Sequence, residues 1–133
     1  MPTEYGQKKR YRIFINPYHA CAFTKCPRCV NKTNVRKFPL VVHVKPKQMI
    51  LLNMECKYCT HCDLIIVRQI TLDKHVNSIL QQFIPSLVGN EYVVFGTVDR
   101  KVWRNSRKES LDSSDMINHV YVFEDKLEFV PAG

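Results

Sequence analysis

The sequence has little glycine and lacks the common catalytic motifs. Only four glycines occur in 133 residues, so a glycine-rich loop that cradles phosphate groups has little to be built from. The chain contains no G-x-x-x-x-G-K-[ST] loop, no G-x-S-x-G turn and no H-E-x-x-H pair, which are signatures of nucleotide-binding, serine-hydrolase and metalloprotease sites. An enzyme is therefore the less favoured class for this chain.

Long apolar segments are also missing. No apolar run approaches the roughly 18 residues that a transmembrane helix needs. The first twelve residues are polar and basic, and they lack the apolar core of a secretory signal. We therefore expect a cytoplasmic protein that has no membrane partner.

Acidic residues are scarce in the first half of the chain. Residues 1–70 contain 13 lysines and arginines against three acidic residues, whereas residues 71–133 contain seven against nine. The formal net charge is +8. This asymmetry favours a polyanion-binding face in the first half, although the same charges could also be dispersed over a solvated surface.

The cysteines form the most informative pattern in the sequence. Cys26 and Cys29 form one C-x-x-C, and residues 56–62 contain two overlapping ones. In a reducing compartment, two such pairs about 30 residues apart predict a tetrahedral zinc site with four thiolate ligands. Four thiolates close the coordination sphere, so we expect the Zn²⁺ to be structural rather than catalytic.

The second cluster leaves the ligand choice open. We favour Cys59 and Cys62, which with Cys26 and Cys29 complete the site; Cys56 is then a spare buried thiol. The alternative pairs Cys56 with Cys59 in place of Cys62, and His61 could replace one sulfur. Cys21 is expected to be a small core residue.

Three other uses of these cysteines are possible. A thioredoxin-like redox C-x-x-C opens a helix, and neither cluster precedes a convincing one. A catalytic zinc needs an open coordination position. An iron–sulfur cluster also takes four cysteines, although the spacing is more typical of zinc.

The first cysteine pair carries a family resemblance. The segment Cys26-Pro-Arg-Cys29 matches the C-P-x-C knuckle, so residues 23–67 resemble the zinc-ribbon class. The glycine usual after the second cysteine of a knuckle is missing, since Val30 and Asp63 take those places. The whole chain resembles a small family of uncharacterised bacterial proteins that share the motifs at residues 16–18, 26–29, 56–64 (C-x-x-C-x-x-C-D-L) and 96–104. That resemblance implies no particular reaction.

The expected fold is a single α+β domain with a zinc-ribbon-like β unit, one amphipathic helix and a C-terminal β region. Residues 1–10 read as a basic flexible arm, 11–70 as the β unit, and 71–133 as the helix plus the C-terminal β region. We expect Thr71 to cap the helix and Pro85 to end it. Pro39 predicts a bulge or a sheet edge. The remaining expectations are a short helix over 99–109 and a hairpin formed by 120–123 and 127–130.

Two functional hypotheses follow. In the first, the chain is a structural-zinc protein associated with DNA or RNA, and basic residues near the cysteines contact phosphates; the candidates are Arg28, Arg36, Lys37 and Lys57. In the second, the zinc stabilises a protein-interaction module, and the basic face meets an acidic protein partner. The sequence names neither a ligand nor a biological process.

Overall fold

The computed structural model describes residues 11–18, 20–98 and 120–130. They form one domain of seven strands and one α-helix, which confirms the α+β prediction. The elements are β1 (Arg12–Asn16), β2 (Asn34–Val44), β3 (Gln48–Cys59), β4 (Leu64–Arg68), α1 (Gln69–Phe83), β5 (Tyr92–Val98), β6 (Val120–Val122) and β7 (Asp125–Lys126). The expected arm at 1–10 and the expected helix at 99–109 lie outside the described residues.

The long β2–β3 hairpin forms the centre of the sheet. All eleven residues of β2 pair with β3, and residues 40–44 of β2 also pair with β5 on the other side. Strand β2 is interior to the sheet, but its pairing with β5 begins at Leu40, so at Pro39 it pairs only with β3 and the expected sheet edge at that point is confirmed. A proline is tolerated in β2 at this position because it lies beyond the end of the β2–β5 pairing. Its carbonyl accepts a hydrogen bond from the Thr97 hydroxyl at 2.8 Å. The irregularity in β2 lies between Val41 and Val42.

The sheet curls until its two edges approach each other. Its strand order is β6-β5-β2-β3-β4-β1-β7, so β6 and β7, which are close neighbours in the chain, lie at opposite ends. The predicted hairpin between 120–123 and 127–130 is therefore wrong. β6 pairs with β5, whereas β7 pairs in parallel with β1. The two residues between them bridge the edges, since the Phe123 N–H bonds to Phe95 and the Glu124 N–H bonds to Tyr11.

Helix α1 packs against the inner face of this curled sheet. It buries Leu72, Val76 and Leu80, which lie at the spacing of the expected amphipathic helix. The helix starts earlier than expected: Arg68, and not Thr71, is the N-cap residue, and it provides no side-chain cap. Strand β4 runs into the helix without a loop. The inner core joins α1 to five strands, with contributions from Tyr11, Ile13, Phe38, Leu40, Val42, Val44, Leu52, Met54, Cys56, Tyr58, Ile65, Val67 and Val94.

The outer face of the sheet carries a second apolar cluster. Since side chains alternate along a strand, Phe14, Leu64 and Ile66 point away from α1. They pack with Phe23 and with cysteines from two turns. The segment between β1 and β2 is folded over this face. The second core thus lies beneath the cysteine-bearing turns and supports them.

Candidate metal centre

The first cysteine-bearing turn lies between β1 and β2. Lys25 and Lys32 form an isolated antiparallel bridge that closes it. Inside the bridge, the Cys26 N–H donates to the Asn31 carbonyl at 2.7 Å, and the Val30 N–H donates to the Cys26 carbonyl at 2.8 Å. These bonds define a tight knuckle, called knuckle 1 (residues 25–32) below.

The second turn connects β3 to β4. Cys59 is the last residue of β3 and pairs with Leu64, the first residue of β4. Residues 60–63 form the turn, and Cys62 lies within it. The Tyr58 hydroxyl donates to Oδ1 of Asp63 at 2.6 Å. This turn, with residues 58–63, is called knuckle 2 below.

The two knuckles bring four sulfur atoms together. The Sγ atoms of Cys26, Cys29, Cys59 and Cys62 all lie within 4.8 Å of one another. Those of Cys29 and Cys59 are 3.4 Å apart. Four thiolates at 2.3 Å from a Zn²⁺ ion would be about 3.8 Å apart in a regular tetrahedron. The donor set and its spacing therefore suit a metal ion such as zinc.

Nitrogen donors surround the sulfur atoms. The Arg28 N–H lies 3.4 Å from the Cys26 Sγ, and Nδ2 of Asn31 lies 3.3 Å from the Cys29 Sγ. In knuckle 2, the backbone N–H groups of His61 and Cys62 bond to the Cys59 sulfur. Hydrogen bonds to sulfur favour its thiolate form, which is the form that binds metal.

The pKa values of the cysteines diverge. Burial raises the pKa of Cys29, but hydrogen bonds from the Asn31 backbone and from the other thiols outweigh it and lower the pKa to about 6. Burial, the hydrogen bond with Cys29 and the nearby cysteines raise the pKa of Cys62 to about 12. Burial is also the main cause that raises the pKa of Cys59. Without a cation, one thiolate therefore forms at the expense of its neighbours, whereas a divalent ion would let all four ionise.

Both knuckles use a left-handed residue after their second cysteine. Val30 has a φ of 70° and Asp63 a φ of 52°. These are the two positions where the zinc-ribbon pattern usually has glycine. The chain therefore adopts the glycine conformation with side chains that disfavour it. Val30 is β-branched and 68% exposed, so its own packing offsets little of this strain.

The other two cysteines, Cys21 and Cys56, do not belong to the group of four sulfur atoms. Cys56 is on β3, three positions before Cys59, and side chains alternate along a strand, so its thiol points to the inner face. Burial raises its pKa to about 12, and the charge of Glu55 adds to the shift. Cys21 packs on the outer face beside the cluster. The sulfur group includes neither of them, nor His61.

The predicted basic residues do not share one surface. Arg36 is on the inner side of β2, where its guanidinium carbon lies 4.7 Å from the ring centre of Phe38 and 5.2 Å from that of Tyr58. Lys37 and Lys57 are on the outer side, opposite Glu55 and Val35 respectively. Arg28 is exposed in knuckle 1.

Two features of the site were missed in the sequence. One is the hydrogen bond between Tyr58 and Asp63, although the position of both residues at the ends of the second C-x-x-C could have indicated it. The other is Asn31, which follows Cys29 by two residues and donates to its sulfur. A short polar side chain at that spacing is a usable signal for a sulfur-binding donor.

Comparison of the chain with protein-family models, with curated proteins and with solved structures gives no match. The motif resemblances are therefore not extended by these comparisons. Within the described ranges, no helix combines the length and the apolar character needed to cross a bilayer. The four-cysteine cluster is the feature from which a function can be argued.

Proposed function

We propose that the four cysteines bind one Zn²⁺ ion in a closed, structural site. The observation that carries this proposal is the approach of all four Sγ atoms to within 4.8 Å of one another. An all-thiolate set leaves no coordination position for a substrate. Zinc fits better than an iron–sulfur cluster because the four sulfur atoms are close enough together to surround a single ion.

The ion would fasten knuckle 1 to the sheet. Knuckle 1 belongs to the long connection between β1 and β2, whereas knuckle 2 is part of the β3–β4 hairpin. Bridging them ties residues 20–33 to the outer apolar cluster, where Phe23 packs edge-on against Phe14 at 5.1 Å between ring centres. The zinc thus stabilises a cluster in which six of the described residues are buried.

Metal analysis of the purified protein tests this step. We expect one zinc per chain and no iron or acid-labile sulfide. Cobalt substitution should give the intense visible absorption of a tetrahedral thiolate site. A protein that folds fully with no bound metal, or that contains iron and sulfide, contradicts the proposal.

We further propose that knuckle 1 associates with nucleic acid. Residues 20–37 contain five lysines and arginines and no acidic residue. Lys25 and Lys32 are directly opposite across their bridge, an arrangement of like charges that is unfavourable without an anion nearby. Neither of them, nor Arg28, forms an ion pair with another described residue. A zinc–tetrathiolate centre has a charge of −2, which is too little to neutralise the segment.

Charge reversal in knuckle 1 tests the nucleic-acid proposal. Lys32→Glu should weaken binding to unrelated DNA and RNA at low salt by several-fold, with little dependence on sequence. Lys74→Glu is the matched control, because it changes the net charge equally at an exposed position of α1. Equal effects of the two variants would indicate non-specific attraction, and no binding by the wild type would exclude this function.

A protein-interaction module is the second candidate. It is favoured by Val30 and Val35, which are 68% and 59% exposed in the same basic segment. Exposed apolar side chains among lysines suit an acidic protein partner. If the wild type binds no nucleic acid but retains zinc, this candidate takes precedence.

A further inference from the structure

Strand β3 has an unpaired hydrogen-bonding edge, on the side that faces away from β2. Residues 48–58 of β3 pair with β2, but only residues 57–59 pair with β4 on the other side. Strand β4 ends at Arg68 and the chain turns into α1, so no described strand covers the preceding part of β3. A cleft of about 220 Å³ opens at this fork, lined in part by Glu55, Lys57 and Arg68.

Pro39 determines which backbone groups point to that edge. Pro39 is opposite Asn53, and it has no N–H, so the two residues cannot form a hydrogen-bonded pair that exchanges both bonds. The Pro39 carbonyl accordingly faces β5, where it accepts from Thr97. The N–H and C=O of Asn53 must then point away from β2. Because orientation alternates along a strand, those of Met49 and Leu51 point the same way.

These outward groups have almost no partner in the described chain. Among the described residues, the Met49 carbonyl accepts one bond, from Nε2 of Gln48 at 3.0 Å. Neither Leu51 nor Asn53 forms a backbone hydrogen bond on this side with any residue that the structure describes. Unpaired strand edges of this kind template pairing with another strand.

We propose that the β3 edge pairs with the β3 edge of a second copy of this chain, in an antiparallel two-fold arrangement centred on Leu51. A two-fold interface must be self-complementary. In this register Leu51 is opposite its own copy, Ile50 is opposite Leu52, and Lys47 is opposite Glu55 at both ends. Met49, Leu51 and Asn53 would then form about six backbone hydrogen bonds across the axis.

Charge complementarity favours this register, because the alternative that sets Lys45 opposite Glu55, centred on Ile50, uses a lysine that already pairs with Glu91 at 2.8 Å. Lys47 and Glu55 are both exposed, and only centring on Leu51 places them opposite each other. Centring on Leu52 sets Met49 against Glu55, and centring on Asn53 sets Leu51 against Glu55. Each of these places an apolar side chain against a carboxylate. Centring on Met49 leaves too little overlap, since β3 begins at Gln48.

A proline substitution tests the edge without disturbing the fold. The wild type should have twice the chain mass of 15.6 kDa in sedimentation equilibrium at micromolar concentration. Asn53→Pro removes an outward N–H that β2 does not use, and a proline on such an edge is tolerated. Since two symmetry-related bonds are lost, self-association should weaken by roughly tenfold or more. Asn53→Ala keeps the N–H and should remain a dimer.

Charge exchange tests the register. Lys47→Glu and Glu55→Lys should each weaken the homodimer, because like charges then meet at both ends. Mixing the two variants should restore dimers, now formed between the different chains. Circular dichroism and metal content serve as checks of folding, and nucleic-acid binding provides a separate readout because neither residue lies in knuckle 1.

Three results would overturn the proposal. The first is a wild type that stays monomeric at every concentration up to roughly 0.1 mM. The second is a dimer that Asn53→Pro leaves intact. The third is a mixture of the charge variants that associates no better than each variant alone.

Discussion

The hydroxyl of Tyr58 donates a 2.6 Å hydrogen bond to the carboxylate of Asp63 across knuckle 2. Tyr58 precedes Cys59 and Asp63 follows Cys62, so the bond closes the turn that carries two of the four cysteines. The Asp63 carbonyl also accepts from the Arg12 N–H at 2.9 Å, which ties the knuckle to β1. Asp63 therefore accepts both of these bonds from the left-handed conformation that a glycine usually supplies.

A pair of glycine substitutions separates strain from bonding. Both Val30 and Asp63 have positive φ, which costs a non-glycine residue about 1–2 kcal/mol. Val30→Gly relieves that strain but adds unfolded-state entropy of roughly 0.5–1 kcal/mol, so the net gain in stability should be up to about 1 kcal/mol. Asp63→Gly relieves similar strain but leaves Tyr58 without its acceptor, and we expect a net loss of about 1–2 kcal/mol. Denaturant unfolding of the zinc-loaded proteins measures both changes. Equal effects of the two substitutions would show that the Tyr58–Asp63 bond contributes nothing.

The periodicity of the sequence predicted the main elements because each one buries a regular stripe. Within the predicted β unit, β2 and β4 bury Leu40 and Leu64, and the predicted helix buries Leu72 and Val76. The errors came from long-range pairing. Nothing local in the sequence indicates that β7 pairs with β1, which is more than a hundred residues away in the chain.

The preferred cysteine set follows from strand geometry, although the sequence left it open. Cys56 and Cys59 are both β3 residues, and an odd spacing on a strand places them on opposite faces. Once the strand is known to extend to Cys59, the two cannot meet on one side. The positive φ of Val30, in contrast, was not predictable from its residue type, since β-branched residues rarely adopt it.

Removing Cys29 should release the metal, whereas removing Cys56 should not. In Cys29→Ser the site keeps three thiolates and binds zinc far more weakly. The backbone amides of residues 20–33, which pack on the outer cluster, should then lose more protection from hydrogen exchange than those of α1, which packs on the inner core.

Cys56→Ala is the matched control, because its thiol lies in that inner core. It should keep one zinc and lose about 1–2 kcal/mol of stability. Metal analysis and exchange mass spectrometry give both results, and zinc loss from Cys56→Ala would refute the ligand set.

Alkaline pH should destabilise the fold through Tyr92. Burial, the hydrogen bond that its hydroxyl donates to Asp73, and the charge of Asp73 all raise the pKa of Tyr92. A pKa that is higher in the folded state means that the stabilisation is present below the unfolded value, about 10 for tyrosine, and is lost as the pH rises above it. Tyr92→Phe should lower stability by about 1 kcal/mol at pH 7. Between pH 9 and pH 11 the free energy of unfolding of this variant should fall less than that of the wild type. The two should differ by roughly the free energy that linkage assigns to the ionisation of one tyrosine hydroxyl. Parallel pH profiles of the two proteins would show that Tyr92 ionises freely in the fold.

Substitutions at Arg36 and Lys32 should affect different properties, the first the stability of the fold and the second the affinity for nucleic acid. The Arg36 guanidinium lies over Phe38 and Tyr58 on the inner side of β2, so Arg36→Gln should cost about 0.5–2 kcal/mol of stability and leave the affinity for DNA and RNA nearly unchanged. Lys32→Glu should leave the stability nearly unchanged and weaken the affinity for DNA and RNA.

If Lys25, Arg28, Lys32 and Lys57 contact phosphates, log affinity for duplex DNA should fall linearly with log salt concentration, with a slope of roughly −3 to −4. Losing the Lys32 contact should reduce the steepness of that slope by about 1. Fluorescence anisotropy over a salt series measures the slope, and unfolding in denaturant measures the stability. An Arg36→Gln variant with full stability but a reduced slope would show that Arg36 contacts phosphate and that its position over the two rings contributes little to the fold.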